Sequence, residues 1–143
     1  MMKSYLEHAN ISVADPKLTI EFLLTAIPEW RVRGQGTYLN DLDEEVEWFH
    51  IGDDAFYIAV DNLAKGSALH WTQRFTGLNH LGFAVPNVEE LVQRLKQGGY
   101  EMDHWGAEHP HRKNVYYQDA HAMQFEFVEY YSPRSEERND YLL

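Results

Sequence analysis

The sequence predicts an α+β fold in which two βαβββ modules form a cupped mixed sheet, and two observations lead to this prediction. A short apolar segment around a histidine occurs twice, at 5–13 and at 78–85, and a helical pattern follows each time. A hairpin pattern then follows each helix, at 46–60 and at 114–130. A duplicated unit is the simplest account of features that recur in the same order.

The first module begins with the strand-like segment around His8. Asp15 and Pro16 follow it, and they predict the start of a helix, because Asp is a good N-cap and Pro fits the first helical position. The helix is expected over 17–26, and Pro28 ends it.

The second module repeats this order. His80 lies in its first strand, and Asn87 is a possible N-cap for a helix over 88–97 whose apolar residues recur at helical spacing. Gly98 and Gly99 are expected to end that helix.

The modules set the expected domain limits. We expect one domain over 1–143, with module one at about 5–61 and module two at about 77–131. A linker is expected at about 62–76, and a charged tail at 132–143 is expected to pack loosely.

The composition excludes several classes of function. Lys and Arg total 12 against 23 Asp and Glu, a net charge of −11, so the chain lacks the basic surface that nucleic acids and anionic membranes attract. It contains no cysteine, which excludes disulfides, thiolate metal sites and cysteine nucleophiles. The N-terminus lacks the apolar stretch of a signal peptide, so we expect a cytoplasmic protein.

Three segments carry a family resemblance: HANISVADPKLTIEFL, LNHLGFAVPNVEELVQRLKQGGY and VYYQDAHAMQFEFVEY. In order and spacing they resemble the vicinal oxygen chelate superfamily, also called the glyoxalase/bleomycin resistance/dioxygenase family, over roughly residues 5–130. The resemblance implies a curved sheet from each module around a shared cavity. The family includes metal enzymes and metal-free binding proteins, so the fold alone does not fix the function.

The resemblance also implies a metal site on the first and last strands of each module. Carried over to this sequence, the ligands are His8, His80 and Glu126, while the fourth position falls at Ala59, which cannot bind a metal. Asp61 shares a strand face with Ala59 and would substitute if the register shifted. Two His and one Glu resemble the ligand set of extradiol dioxygenases and fosfomycin-resistance enzymes.

The residue types support a metal independently of the family. Two imidazoles and one carboxylate suit Fe(II), Mn, Ni, Co or Zn and leave coordination positions open for a substrate. Glu126 stands between Phe125 and Phe127, and a buried carboxylate is costly unless it is paired or binds a metal. The alternative is that the two histidines are polar strand-end residues that only form hydrogen bonds.

The remaining candidate residues surround this expected cavity. The candidate catalytic residues are Tyr116, His50 and His111. The candidate substrate-binding residues are Arg112, Asn10, Asn114 and Tyr57. Tyrosine and histidine suit acid–base roles, and the Arg guanidinium suits a carboxylate or phosphate.

Two functions follow from these predictions. The first is an enzyme that depends on one divalent metal and acts on a small, oxygen-rich substrate by dioxygenase, lyase/isomerase or ring-opening chemistry. The alternative is a metal-free protein of the bleomycin-resistance type that binds and sequesters a small molecule. Because relatives often pair, we expect a homodimer, and the site lies within one chain or is shared across the dimer.

Overall fold

The computed structural model describes residues 2–143, and the chain divides into two compact units between Ser67 and Ala68. Unit 1 precedes this boundary and unit 2 follows it. Each unit contains one four-stranded sheet. The helices in the described residues are too short or too polar to cross a lipid bilayer.

Unit 1 has the order strand, helix and three strands. Its elements are β1 (His8–Ser12), α1 (Pro16–Ala26), β2 (Arg31–Leu39), β3 (Glu45–Gly52) and β4 (Tyr57–Asp61). The strands lie in the order β1-β4-β3-β2, in which β1 pairs with β4 in parallel and the other pairs are antiparallel.

Unit 2 repeats this topology. Its elements are β5 (His80–Ala84), α2 (Val88–Gln97), β6 (His104–Trp105), β7 (Arg112–Gln118), β8 (Gln124–Tyr130) and a short α3 (Ser135–Arg138). The strand order is β5-β8-β7-β6, with β5 and β8 parallel. Two βαβββ modules with mixed sheets were expected, and the fold-class prediction is confirmed.

Both main helices begin at the residues that the sequence indicates. The Asp15 carboxylate accepts a hydrogen bond from the Lys17 amide at 3.1 Å. In α2 the Asn87 side chain accepts one from the Glu90 amide at 3.0 Å. These caps satisfy amide groups that have no partner within the helix, so each helix starts at a defined residue.

One face of each sheet is apolar and packs against the helix of its own unit. In unit 1 the fully buried Ile58 and Val60 of β4 lie on this face, and in unit 2 Phe125 and Phe127 of β8 do. Side chains alternate between faces along a strand. The histidines and acids that the sequence singles out therefore share the opposite face of each sheet, which we call the open face.

The segments expected as tail and linker contain some hydrogen-bonded structure. The tail forms α3, and its Asp140 carbonyl lies 3.0 Å from the His109 Nε2. The end of the expected linker belongs to unit 2, where the Ala68 amide donates to the His121 carbonyl at 2.7 Å. Most of the tail is exposed.

Candidate functional site

The open face of unit 2 brings together His80 and Glu126. Their strands β5 and β8 are parallel neighbours, and the His80 Nε2 lies 3.0 Å from the Glu126 Oε2. Gly82 is the register partner of Glu126, and a Cβ there would lie 3.6 Å from the Glu126 Oε2. Because Gly82 has no side chain, β5 does not cover the carboxylate of Glu126.

The side-chain amide of Asn79 determines which ring nitrogen of His80 carries a proton. The Asn79 Nδ2 donates to the Trp71 carbonyl at 3.0 Å, so the Asn79 Oδ1 is the atom that points to the His80 Nδ1, at 2.7 Å. An amide oxygen only accepts, so the His80 Nδ1 carries the proton. The Nε2 then faces a carboxylate oxygen, and this contact is favourable only with a proton or a metal ion between the two atoms.

The carboxylate of Glu126 is held from its other side. Asn114 on β7 donates from its Nδ2 to the Glu126 Oε1 at 2.7 Å, and the same amide is 3.4 Å from the Tyr116 hydroxyl. Hydrogen bonds of this kind orient the ligands of metal sites. One acid oxygen is thus fixed by an amide while the other faces an imidazole.

Tyr116 is directly opposite Glu126 across the β7–β8 pair. Burial raises the pKa of the Tyr116 phenol, and the nearby negative charge of Glu126 and a hydrogen bond with it raise the pKa further. Arg112 and the Asn114 hydrogen bond act in the opposite direction. The phenol is therefore protonated at neutral pH, and its hydroxyl is a hydrogen-bond donor.

Aromatic rings enclose Tyr116 on two sides. The His104 ring stacks on it with centroids 4.5 Å apart, and the His80 ring meets it edge-on at 5.6 Å. Trp71 in turn stacks on His104 at 5.2 Å. These contacts fix the position of the phenol relative to the His80–Glu126 pair.

A cavity of about 500 Å³ opens beside Glu126. It is lined by Gly82, Ala107, Arg112, Asn114, Tyr116, Glu126, Val128, Tyr130 and Tyr141. Arg112 is the one Lys or Arg among these lining residues. Its guanidinium donates to the Arg138 carbonyl at 3.3 Å and forms no ion pair within residues 2–143.

Three of the other predicted residues form an aromatic stack in unit 1. Tyr57 lies between His8, at 4.8 Å, and His50, at 4.3 Å, with all three rings nearly parallel. The Arg33 guanidinium lies 4.6 Å from the centroid of the Tyr57 ring, within cation–π distance. The Nδ1 of His8 is 3.0 Å from a carboxylate oxygen of Glu7.

His50 is held in its neutral form. Burial lowers the pKa of the His50 imidazole, and the charges of Arg33 and His8 lower the pKa further. A neutral imidazole at neutral pH accepts protons, which is the state that a general base requires.

In unit 1 neither position that could correspond to Glu126 offers an exposed carboxylate. Asn10 pairs with Ala59 in the β1–β4 register, as Gly82 pairs with Glu126 in unit 2. Asp61 is buried, and its Oδ1 accepts a hydrogen bond from the Leu63 amide at 3.1 Å. The register therefore places alanine at the position where the repeat has glutamate.

His111 lies apart from these groups. Its Nδ1 is 3.9 Å from a carboxylate oxygen of Glu137, and its ring meets the His109 ring edge-on. His111 does not line the cavity beside Glu126. Its predicted catalytic role rests on the sequence alone.

The predicted ligands are divided between the units. Within residues 2–143 no three His, Cys, Asp or Glu side chains are grouped closely enough to hold a metal ion. His80 and Glu126 meet in unit 2, and His8 belongs to unit 1. The pair in unit 2 fits two positions of a divalent metal, because a lone-pair nitrogen and an oriented carboxylate converge there.

Sequence reasoning missed three residues next to this pair. They are His104, Trp71 and Gln124, and none of them is among the candidate site residues that the sequence indicates. Gln124 is the register partner of His80, and its Nε2 is buried without a hydrogen-bond partner among the described residues, as is the Trp71 Nε1. The alternation along β8 was the one available signal for Gln124, while nothing near His104 or Trp71 in sequence indicates their contacts.

Comparisons with known proteins give likenesses in structure only. No protein-family model and no curated protein sequence matches the chain. A glyoxylase/bleomycin resistance protein/dioxygenase domain from Frankia sp. EAN1pec is similar in structure, with a TM-score of 0.70, 18% identity, and coverage of 90% of this chain and 99% of that one. A glyoxalase family protein from Enterococcus faecalis has a TM-score of 0.70 at 16% identity, covering 90% of this chain and 100% of that one.

A third neighbour is the fosfomycin resistance protein FosX from Listeria monocytogenes, solved in complex with Mn(II) and a sulfate ion. Its TM-score is 0.61 at 20% identity, with 98% of this chain and 100% of that chain covered. These structural likenesses agree with the repeated topology and the two mixed sheets. The chain has the fold of the glyoxalase/bleomycin resistance/dioxygenase proteins of the vicinal oxygen chelate superfamily.

Proposed function

We propose that this protein is an enzyme that depends on one divalent metal ion and acts on a small, oxygen-rich substrate. The observation that carries the proposal is the contact at 3.0 Å between the His80 Nε2 and the Glu126 Oε2. Asn79 keeps the proton on the far nitrogen of His80, and Asn114 holds the far oxygen of Glu126. Two ligands held in this way favour a cation between them.

The third ligand in this proposal is His8, at the position that corresponds to His80 in the repeat. It comes from the same chain or from a second copy in a homodimer, and light scattering together with mixing of His8→Ala and His80→Ala chains distinguishes the two. Recovery of metal binding in the mixture indicates a shared site. A monomer that binds metal indicates a site within one chain.

The metal, when bound, supplies Lewis-acid chemistry to substrate oxygens. Tyr116 donates a hydrogen bond to a substrate oxygen, because its phenol, whose pKa is raised by burial, keeps its proton. Arg112, which has no ion-pair partner among residues 2–143, binds an anionic group of the substrate at the side of the same cavity. The FosX structure, which was solved with Mn(II) and a sulfate ion, supports the binding of a divalent ion by a protein of this fold.

Metal analysis tests the proposal. Protein purified without a nickel column and reconstituted with Mn(II), Fe(II), Co(II), Ni(II) or Zn(II) is expected to retain about one ion per site, and His80→Ala is expected to lose it. His70→Ala is the matched control, because His70 also lies in unit 2 but contacts Thr72. If no ion is retained by the unaltered protein after reconstitution, the metal enzyme is excluded and the metal-free binding protein is the better account.

A further inference from the structure

Unit 2 contains a second and larger cavity of about 820 Å³. It is lined by Trp105, Gly106, Ala107, Glu108, His109, Pro110, Arg112, Lys113, Asn114 and Tyr131. Ala107, Arg112 and Asn114 also line the cavity that contains Glu126, so the two cavities adjoin at these residues. None of the candidate metal ligands lines the larger cavity.

The volumes argue for a ligand with two parts. Cavities that bind drug-sized molecules have volumes of about 300–1,000 Å³. In the proposed function the cavity of about 500 Å³ beside Glu126 would hold the reacting end of a small substrate, and the adjoining cavity of about 820 Å³ has room for a group at least as large. A substrate that fills only the first cavity leaves the second unexplained.

The walls of the larger cavity favour a planar aromatic group. Trp105 and Tyr131 line it, and 38% and 54% of their surfaces are exposed. The Lys113 Nζ lies 4.2 Å from the centroid of the Trp105 ring. Two exposed aromatic side chains in one concave wall provide a surface on which another ring can stack.

The charges favour an anion where the two cavities adjoin. Lys113 pairs with Glu89 outside the cavity, and the His109 Nε2 faces the Asp140 carbonyl. Of the lysine and arginine side chains that line the larger cavity, Arg112 is the one that forms no ion pair with an acid among the described residues. In a chain of net charge −11, a guanidinium without such a partner at the wall shared by two cavities points to a carboxylate, sulfonate or phosphate on the ligand.

We propose that the substrate is an aromatic acid whose planar ring system occupies the Trp105–Tyr131 cavity and whose anionic group binds Arg112. Its oxygen-bearing end then extends to Glu126. The extension to Glu126 rests on the proposed function, but binding of the ring and the anion does not, because it needs neither His80 nor a metal.

The test uses 2-naphthoate as the probe on the full chain, by calorimetry and by chemical-shift mapping in metal-free buffer. We expect saturable binding with shifts at Gly106, Ala107 and the Trp105 indole, and none at the Trp30 indole of unit 1. The uncharged methyl ester of the probe is expected to bind at least about tenfold more weakly, a factor of ten being 1.4 kcal/mol.

Variants identify the two contacts separately. Arg112→Ala is expected to remove the preference for the acid over the ester, and Trp105→Ala to weaken both probes about tenfold. Trp105→Phe keeps an aromatic surface and is expected to restore most of the binding, which separates loss of stacking from misfolding. Equal binding of acid and ester to the unaltered protein, shifts elsewhere, or no binding at millimolar probe overturns the proposal.

The same variants separate this inference from the proposed function. His80→Ala is expected to lose the metal and to bind 2-naphthoate within about twofold of the unaltered protein. Trp105→Ala is expected to retain the metal. If His80→Ala abolishes probe binding in metal-free buffer, the probe occupies the Glu126 cavity, and the second cavity is not its site.

Discussion

The two units have the same strand order, but the side chains on their open faces are of different kinds. In unit 2 the position paired with Gly82 is Glu126, and an imidazole and an amide converge on its carboxylate. In unit 1 the equivalent position, paired with Asn10, is Ala59, and the face around it is a stack of rings next to a guanidinium. A repeated backbone therefore does not imply a repeated site.

The residues paired with Ala59 and with Glu126 show how exchanging alanine for glutamate changes the open face of a unit. His50 and Tyr116 occupy equivalent positions, each paired with the residue that is alanine or glutamate. Next to Ala59 the imidazole packs on Tyr57, and its pKa is lowered by burial and by nearby cations. Next to Glu126, burial raises the pKa of the Tyr116 phenol, and the negative charge of Glu126 raises this pKa further. A half-buried carboxylate needs donors around it, and in unit 2 the Asn114 amide donates to Glu126.

The largest expected effect comes from making unit 2 resemble unit 1. Glu126→Ala removes a proposed ligand, so the metal affinity is expected to fall by more than the roughly 10–100-fold that loss of an orienting partner costs. Glu101→Ala, an exposed acid in the same unit, is the matched control. Metal titration measures both, and unchanged affinity in Glu126→Ala contradicts the assignment of the ligand.

A smaller effect is expected from displacing the amide that orients Glu126. A Cβ at Gly106 would lie 2.0 Å from the Asn114 Oδ1, so Gly106→Ala is expected to push the Asn114 side chain away from the acid. The metal affinity is expected to fall about 10–100-fold, as in Asn114→Ala, because both changes remove one orienting hydrogen bond.

Gly34→Ala in unit 1 is the control for that prediction, because its Cβ would meet Trp48 at an ordinary 3.6 Å. Thermal unfolding is expected to change little in Gly106→Ala, since a side-chain terminus can move. A large loss of stability without loss of metal affinity would show that the Asn114 amide is not the group affected.

The smallest expected effect concerns the pKa of His50 in unit 1. Burial is the largest cause of the lowered pKa, and Arg33 is the next. Arg33→Ala is therefore expected to raise the pKa of His50 towards 6.5 without reaching it, and His8→Ala to raise it less. Proton NMR titration of the ring measures each value, and an unchanged pKa in Arg33→Ala contradicts the electrostatic account.

The sign of the linked stability follows from the direction of this shift. The unfolded chain binds the His50 proton more readily than the folded chain, so the folded state loses stability as pH falls below about 6.5, and the loss is complete below the folded-state pKa. Arg33→Ala is expected to reduce the size of this loss, which unfolding by denaturant at pH 5 and pH 8 measures.

The sequence by itself determined the repeat and the helix starts at Asp15 and Asn87. These features follow from caps and from periods of about 3.6 or 2 residues, which a few neighbouring residues encode. The same alternation explains why Asn114 and Tyr116 share one face of β7, where the Asn114 Nδ2 lies 3.4 Å from the Tyr116 hydroxyl.

Only the tertiary structure decided that Trp71 stacks on His104, that Asn79 fixes the proton of His80, and that Arg112 lies where two cavities adjoin. Trp71 and His104 are far apart along the chain, and no local period relates them. Such contacts depend on how loops close between strands, and loop closure is governed by the whole fold rather than by the residues at either end.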